Sequence, residues 1–445
     1  MAHNTFIVGI NVDGTGKNID KYLKMIEEYQ VALVYYNTSG TIEREFNKIQ
    51  KDDLIILAYG SNKNKKSYFS GYASSNNQGE FIVDNEKISG HIKLNNFTSL
   101  QEYEIIFSKD NTYGEANQVP AVYQLKKDNI KDIEIINKID SIIKKNYKMC
   151  KSNNEIKDLL KNNYNLVLTG APGTGKTYLA KEIVKSLIKG DRKDIKDEQL
   201  NEEVKKQMGF VQFHPSYDYT DFVEGIRPKK DSNGFERVDG IFKEFCKKAI
   251  EDKTNKYYFI IDEINRGDLN KILGELFYSL DMGYRGEKGK VKTQYQNMIE
   301  DGDVFQEGFY IPENVYIIGT MNDIDRSVDS MDFAIRRRFA WKEITAEDTA
   351  GSILENLENK DEIINRMINL NKAISNIAGL NSMYHIGASY FLKLEKYNYD
   401  YEKLWDNHLK GLLYEYLRGK KDIVNLIKEL KDAYDNESQP TENNG

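Results

Sequence analysis

The stretch Gly170-Ala-Pro-Gly-Thr-Gly-Lys-Thr177 constrains this chain more than any other. It fits the pattern G-x-x-x-x-G-K-[ST], and its surroundings fit as well. The apolar run Leu166 to Leu168 before it reads as a buried strand. Tyr178-Leu-Ala-Lys-Glu-Ile-Val-Lys-Ser-Leu187 after it carries apolar residues at helical spacing. A strand, a glycine-rich turn and a helix N-terminus together predict a triphosphate site. Glycines let backbone N–H groups close around phosphates, and the helix dipole favours negative charge there. Gly170, Ala171, Pro172, Gly173, Thr174 and Gly175 would form the cradle. Lys176 would reach the β- and γ-phosphates, and the Thr177 hydroxyl would bind Mg²⁺.

The second half of such a site lies downstream. Tyr257-Tyr-Phe-Ile-Ile-Asp262-Glu263 is an aromatic and β-branched run ending in two adjacent carboxylates. A core strand of a parallel sheet is apolar throughout and carries its chemistry at its C-terminal end. Asp262 is expected to hold Mg²⁺, and Glu263 to orient or polarise the attacking water.

Length and composition bound the rest. A chain of 445 residues can build two or three domains with real cores. Its formal net charge of −7 excludes a basic coat for nucleic acid, though not local basic patches. Two cysteines, Cys150 and Cys246, give no disulfide framework, and with five scattered histidines no structural zinc site is expected. No apolar run approaches membrane-spanning length and no signal-peptide pattern opens the chain, so a soluble, cytoplasmic bacterial protein is expected.

Five segments are expected. Residues 1–129 show short strand-like pieces: Thr5 to Ile10, Val31 to Tyr36, Asp53 to Tyr59, Tyr68 to Ala73, Tyr103 to Phe107 and Ala121 to Leu125. A helix around Ile19 to Tyr29 lies among them, which suggests a small α+β or β-barrel-like module. Periodic isoleucines over 130–152 read as a connecting helix. The nucleotide-binding core is expected over 153–345, a helical segment over 346–435 and a disordered polar tail over 436–445. Asp13-Gly-Thr-Gly-Lys17-Asn18 imitates a phosphate loop but has Asn11 and Asn18 where glycine and a hydroxyl are needed. It reads as a turn into the Ile19 helix.

Later runs narrow the class. Val315-Tyr-Ile-Ile-Gly-Thr-Met-Asn322 is a second apolar strand ending in a polar residue, which resembles sensor 1 of AAA+ ATPases. Asp323-Ile-Asp325-Arg326-Ser327 and Ala334-Ile-Arg336-Arg337-Arg338-Phe339 follow. With Phe213 to Pro228, Asp262 to Arg266 and Ile386 to Phe391, the stretch resembles the McrB family across roughly residues 150–430. The resemblance implies an α/β AAA+ core, a parallel sheet with flanking helices, and an α-helical lid. It also implies an NTP-hydrolysing ring, expected as a hexamer, that uses GTP in preference to ATP, recognises DNA and activates a separate McrC-type endonuclease in antiviral restriction. Asn322 and Asp325 would position the hydrolytic water, and Arg337 and Arg338 would act in trans as arginine fingers. Three departures stand out: Asp323-Ile324 replaces the usual Thr-Ala, Thr220 replaces an acidic residue, and Ala388 replaces a commoner His or Pro.

The front segment loosely resembles PUA-like (EVE/YTH-type) folds, which flip a modified base into an aromatic pocket. Tyr35, Tyr36, Tyr59, Tyr68, Phe69 and Tyr72 would supply its walls, and Lys63, Lys65 and Lys66 would meet phosphates; ordinary strand core and a solvated loop are the plainer reading. Two other functions compete with the motor-driven nuclease: a MoxR-like remodeller of proteins, and a nucleotide-gated defence switch with little turnover. No nuclease cluster is apparent in the chain itself.

Overall fold

A computed structural model describes residues 153–435 apart from 191, 193–194, 231–232 and 325–332. Of residues 1–152 it describes nine strands together with Ile26, Ile49, Gln50 and Asp53. The connecting helix over 130–152, the Asp13–Asn18 turn, Tyr35, Tyr36, Lys63, Asp325 and the tail over 436–445 lie outside the described residues. The chain divides into two units, Met1–Lys151 and Ser152–Gly445.

In the first unit the strands are β1 (Thr5–Gly9), β2 (Val31–Val34), β3 (Leu54–Gly60), β4 (Asn64–Ala73), β5 (Phe81–Val83), β6 (Glu86–Ile88), β7 (Gly90–Ser99), β8 (Ile106–Ser108) and β9 (Val122–Gln124). Seven of them form a mixed sheet in the order β2-β7-β4-β3-β1-β9, with β8 added to β4, and β5 and β6 pair separately as a two-stranded antiparallel sheet. β1 and β3 run parallel, and the other pairings are antiparallel. Leu54, Ile55, Ile56, Leu57 and Phe69 are buried, which accounts for the aliphatic run of β3.

Several expectations for this unit need correction. Where the predicted pieces Tyr103 to Phe107 and Ala121 to Leu125 fall, the described residues are β8 (Ile106–Ser108) and β9 (Val122–Gln124), both strand. β4 starts earlier than Tyr68, so Lys65 and Lys66 pair with Gly60 and Tyr59 rather than lying in a loop. β7 was not expected. Its pairing with β4 shifts register between Ser70 and Tyr72, where Thr98 and Asn95 are the partners. That bulge breaks the two-residue alternation by which a strand is recognised.

The second unit begins with a helix, α1 (residues 153–163), and the strand β10 (Asn165–Thr169). Helix α2 (Lys176–Lys189) follows the glycine-rich turn, then α3 (Asp197–Gln207) and β11 (Met208–Gln212). A short turn of helix, α4 (Tyr219–Phe222), leads to the hairpin β12 (Glu224–Pro228) and β13 (Phe235–Asp239). Next come α5 (Ile241–Glu251), β14 (Tyr257–Asp262), α6 (Leu269–Leu273), β15 (Val315–Thr320), α7 (Phe333–Arg336) and β16 (Ala340–Glu343).

Five of these strands build one sheet in the order β11-β14-β15-β10-β16, every neighbour parallel. This is the expected parallel sheet flanked by helices. The three central strands β10, β14 and β15 are buried almost throughout and lack alternation because both faces are covered, whereas the edge strands β11 and β16 are partly exposed. Val167, Phe259, Ile261 and Ile317 enter a core with α4, α5 and α6. Leu166, Leu168, Tyr258, Ile260, Tyr316 and Ile318 enter a second core with α1 and α2. The hairpin, β11 and β16 were not expected from sequence. The hairpin is held by an ion pair rather than by apolar content. Lys243 of α5 reaches Glu224 at 2.5 Å, both side chains fully buried, and Arg237 joins at 3.2 Å.

The expected helical segment forms a separate packed layer. It comprises α8 (Ala346–Ile353), α9 (Lys360–Asn376), a 3₁₀ stretch (Ala388–Tyr397), α10 (Tyr401–Leu404), a π-helical turn (Trp405–Leu409), α11 (Lys410–Tyr416) and α12 (Ile423–Asp435). Met367, Phe391, Trp405 and Tyr434 lie at the centre of its core. The first helix is fixed by a capping box in which Thr345 and Asp348 satisfy each other's backbone N–H.

Candidate nucleotide site

Strand order gathers the site. β15 lies between β10 and β14, so the ends of all three strands open onto the same edge. The turn after β10 uses left-handed backbone that only glycine takes at no cost, with φ of 77° at Gly173 and 78° at Gly175. At Gly170 a side chain would meet the Ile344 carbonyl oxygen at 2.3 Å, so close approach also requires glycine there. Gly175 is the N-cap of α2 and offers no side-chain cap, which leaves the first N–H groups of the helix directed at the turn.

Lys176 is buried. Its amine donates to the carbonyl oxygens of Gly170 at 3.0 Å and Ala171 at 2.8 Å. Burial pulls its pKa down to about 8, against the opposing pull of Glu263, Asp323 and Asp262. The Thr177 hydroxyl donates to Asp262 Oδ1 at 2.5 Å. The hydroxyl of Thr320, at the end of β15, donates to the same oxygen at 2.5 Å. Thr320 was not singled out in the sequence. The signal was present, a hydroxyl closing an otherwise apolar strand beside the expected sensor.

Glu263 lies just past the end of β14 in left-handed backbone, with φ 51°. Asn322 Nδ2 donates to its Oε1 at 2.6 Å, and Arg266 Nε lies 3.3 Å from its Oε2. Burial raises the Glu263 pKa, while Arg266 lowers it, Asp262 raises it and Lys176 lowers it. Asp323, the departure from the usual signature, has its N–H 3.5 Å from the Gly170 carbonyl oxygen. Burial raises the pKa of its carboxyl, with Lys176 pulling the other way, Glu343 adding to the rise and Thr169 donating to it.

Together these groups line a cleft of about 220 Å³ bounded by Gly173, Gly175, Lys176, Thr177, Tyr178, Asp262, Glu263, Thr320, Met321, Asn322 and Ser389. Ser389 comes from the helical layer. Its N–H donates to the Gly173 carbonyl oxygen at 3.0 Å, and that of Gly387 to the Pro172 carbonyl oxygen at 3.1 Å. The block Ile386 to Phe391 therefore runs alongside the phosphate loop as a lid edge.

The arginines stand apart from this cleft. Arg337 is exposed at the end of α7. Arg338 is half-buried, with its guanidinium 4.1 Å from the centre of the Phe277 ring and Nη1 donating to the Ala334 carbonyl oxygen at 2.8 Å. Asn165 anchors the Arg338 backbone, donating to its carbonyl oxygen at 2.9 Å.

The model of the AAA domain (dynein-related subfamily) matches residues 165–339. Over 235 residues the chain is 39% identical to the EcoKMcrB subunit of the type IV methyl-directed restriction enzyme of Escherichia coli (strain K12), covering 51% of this chain and 47% of that protein. The chain thus carries an AAA domain and, over about half its length, is similar to McrB. A second relative is the BsuMI component YdiS of a type II restriction enzyme of Bacillus subtilis (strain 168). It is 28% identical over 211 residues, 41% of this chain and 57% of that one. The chain spans about half the length of the curated relatives it matches. A solved putative ATPase from Cytophaga hutchinsonii aligns over 61% of this chain and 81% of its own at 14% identity, with a TM-score of 0.26, too low to carry any argument.

Proposed function

We propose that this chain is a nucleoside-triphosphate-hydrolysing ring subunit of a restriction system. Its substrate is GTP in preference to ATP, its N-terminal unit recognises DNA, and it drives a separate McrC-type endonuclease. The observation that carries the enzymatic part is the convergence of strand ends. Thr177, Asp262, Thr320, Glu263 and Asn322 meet beside Lys176 at the mouth of the phosphate loop.

Mg²⁺ fits this donor set. It takes hard oxygen ligands, commonly one or two carboxylates with substrate phosphates completing the shell, and Thr177 Oγ1 and Asp262 Oδ1 already lie 2.5 Å apart. Asp262 and Thr177 would hold it, and bound there it would neutralise charge on the terminal phosphates. Among the described residues no cluster of three or more His, Cys, Asp or Glu suggests any other metal.

In this reading Lys176 exchanges the Gly170 and Ala171 carbonyls for the β- and γ-phosphate oxygens. Glu263 orients water for attack, and Asn322 holds the carboxylate by its amide. Asp325 joins them in positioning that water, as the family resemblance implies. Arg337 and Arg338 of a neighbouring subunit meet the charge that develops on the transferred phosphoryl group.

The test is hydrolysis of GTP and of ATP by the purified chain, alone and with its candidate nuclease partner, in the presence and absence of modified duplex. GTP preference with stimulation by the partner supports the whole reading. ATP preference, indifferent to partner and DNA, would instead favour a general remodeller.

A further inference from the structure

Asp262 Oδ1 is shared by two hydroxyls. Thr177 donates to it from the start of α2 at 2.5 Å, and Thr320 from the end of β15 at 2.5 Å. A carboxylate oxygen has two lone pairs, so this oxygen is fully used. Oδ2 accepts no hydrogen bond from any described residue. The two donors fix the carboxylate and leave one oxygen open.

Only one of these threonines belongs to the phosphate loop. Thr320 closes β15, which runs parallel to β14 with Gly319 opposite Ile261. It is buried and β-branched, so its rotamers are few and the strand sets the direction of its hydroxyl. The same hydroxyl accepts the Glu263 N–H at 3.4 Å. One side chain thus touches both the carboxylate proposed to hold the metal and the backbone of the residue proposed to orient water.

We infer that Thr320 is a positioning residue for the metal, holding Asp262 through Oδ1 so that Oδ2 stays available to Mg²⁺. The inference rests on the reading of Asp262 as a metal ligand. Thr177 is a poor substitute in this role, because its own oxygen is called on by the metal. Partners that orient a metal's ligands typically change metal affinity by about 10- to 100-fold.

The experiment titrates Mg²⁺ into wild-type chain, Thr320→Val, Thr320→Ser and Asp262→Asn. The readout is binding of a fluorescent, non-hydrolysable GTP or ATP analogue, whichever binds the wild type, measured again in EDTA. In Thr320→Val the Mg²⁺ concentration for half-maximal binding should rise about ten-fold, with affinity in EDTA unchanged. Thr320→Ser keeps the hydroxyl and should titrate like wild type. A residue that merely packs would show the reverse, since valine keeps both branches and serine loses a methyl. Thr320→Cys, whose thiol is a weak donor, takes the place of valine if that variant does not fold. With Asp262→Asn impaired, a wild-type Mg²⁺ dependence in Thr320→Val, or an equal loss in EDTA, overturns the role of Thr320 alone. A wild-type titration in Asp262→Asn strikes down the metal reading itself, and the inference with it.

Discussion

The Thr349 hydroxyl donates to the carbonyl oxygen of Thr174 at 2.5 Å, tying the first helix of the lid to the tip of the phosphate loop. Both residues are buried, so the bond stands in place of water on either side. Thr349→Val keeps the shape and leaves the Thr174 carbonyl without its donor. Removing one partner of a buried pair costs about 1–2 kcal/mol. A loss of stability of that size, seen as a lower thermal midpoint, is expected together with weaker triphosphate binding, since the loop loses a constraint. Unchanged affinity in calorimetry would mean that the lid contact does not preorganise the loop.

Gly387 lies closer still to the loop. A Cβ there would sit 2.0 Å from the carbonyl carbon of Gly173. Its φ of −79° suits any residue, so the constraint is contact alone and not backbone strain. Gly387→Ala must push the lid edge off the loop, an overpacking that typically costs about 1–3 kcal/mol. The expected outcome is loss of triphosphate-induced thermal stabilisation with little change in helical content by circular dichroism. Retained nucleotide protection would show that the lid tolerates being moved.

Lys176 makes the loop a source of instability as well as function. Its pKa falls from 10.5 to about 8 on folding, because burial disfavours the ammonium. The unfolded chain therefore binds the extra proton between those values, and stability rises as pH climbs through that window. Below it the full deficit applies, about 3 kcal/mol at most for a shift of this size. Lys176→Met should raise the thermal midpoint at neutral pH, by less than that deficit because two carbonyls lose their donor. It should also flatten the rise in stability between pH 8 and 10.5 and abolish triphosphate binding. A lowered midpoint at neutral pH would show that the carbonyl contacts outweigh the burial.

How much of this was legible in sequence depends on where the information lay. The phosphate loop and the Asp262–Glu263 pair were readable because each lies at the end of a strand with both faces buried, where polarity changes abruptly. The strand order that brings them together was not. It depends on β15 intervening between β10 and β14, a pairing that no local pattern encodes. Thr320 was missed for that reason, since its hydroxyl has meaning only once Asp262 lies across from it. The hairpin β12–β13 was missed because a buried Lys243–Glu224 pair, not an apolar stripe, secures it. β7 was hidden by its bulge.

Asp323 tests whether departure from the family signature has a consequence. Its carboxyl is in electrostatic reach of Lys176, the group that must meet the phosphates. Asp323→Thr removes that competing negative charge. Tighter binding of a non-hydrolysable triphosphate is expected, by about three-fold for one partly screened pair. Equal affinity for wild type and variant would show that Asp323 is neutral in the binding-competent form.

Arg337 and Arg338 are predicted to separate by mechanism. Arg338 stacks on Phe277 and bonds back to Ala334, so Arg338→Ala should lower the thermal midpoint, whereas the exposed Arg337 should be replaceable without that cost. If Arg337 completes the site of a neighbour, Arg337→Ala subunits retain a sound cleft and lack only the cation that reaches the next one. Lys176→Ala subunits have the converse defect. Each variant alone should lose hydrolysis by about a thousand-fold, the scale on which a missing arginine finger acts. Mixed in equal amounts, the two should recover activity at about a quarter of the subunit junctions, those where a sound cleft meets a sound arginine. Recovery on mixing requires action between subunits. Mixtures as inactive as their components would place Arg337 either within its own subunit's chemistry or outside catalysis altogether.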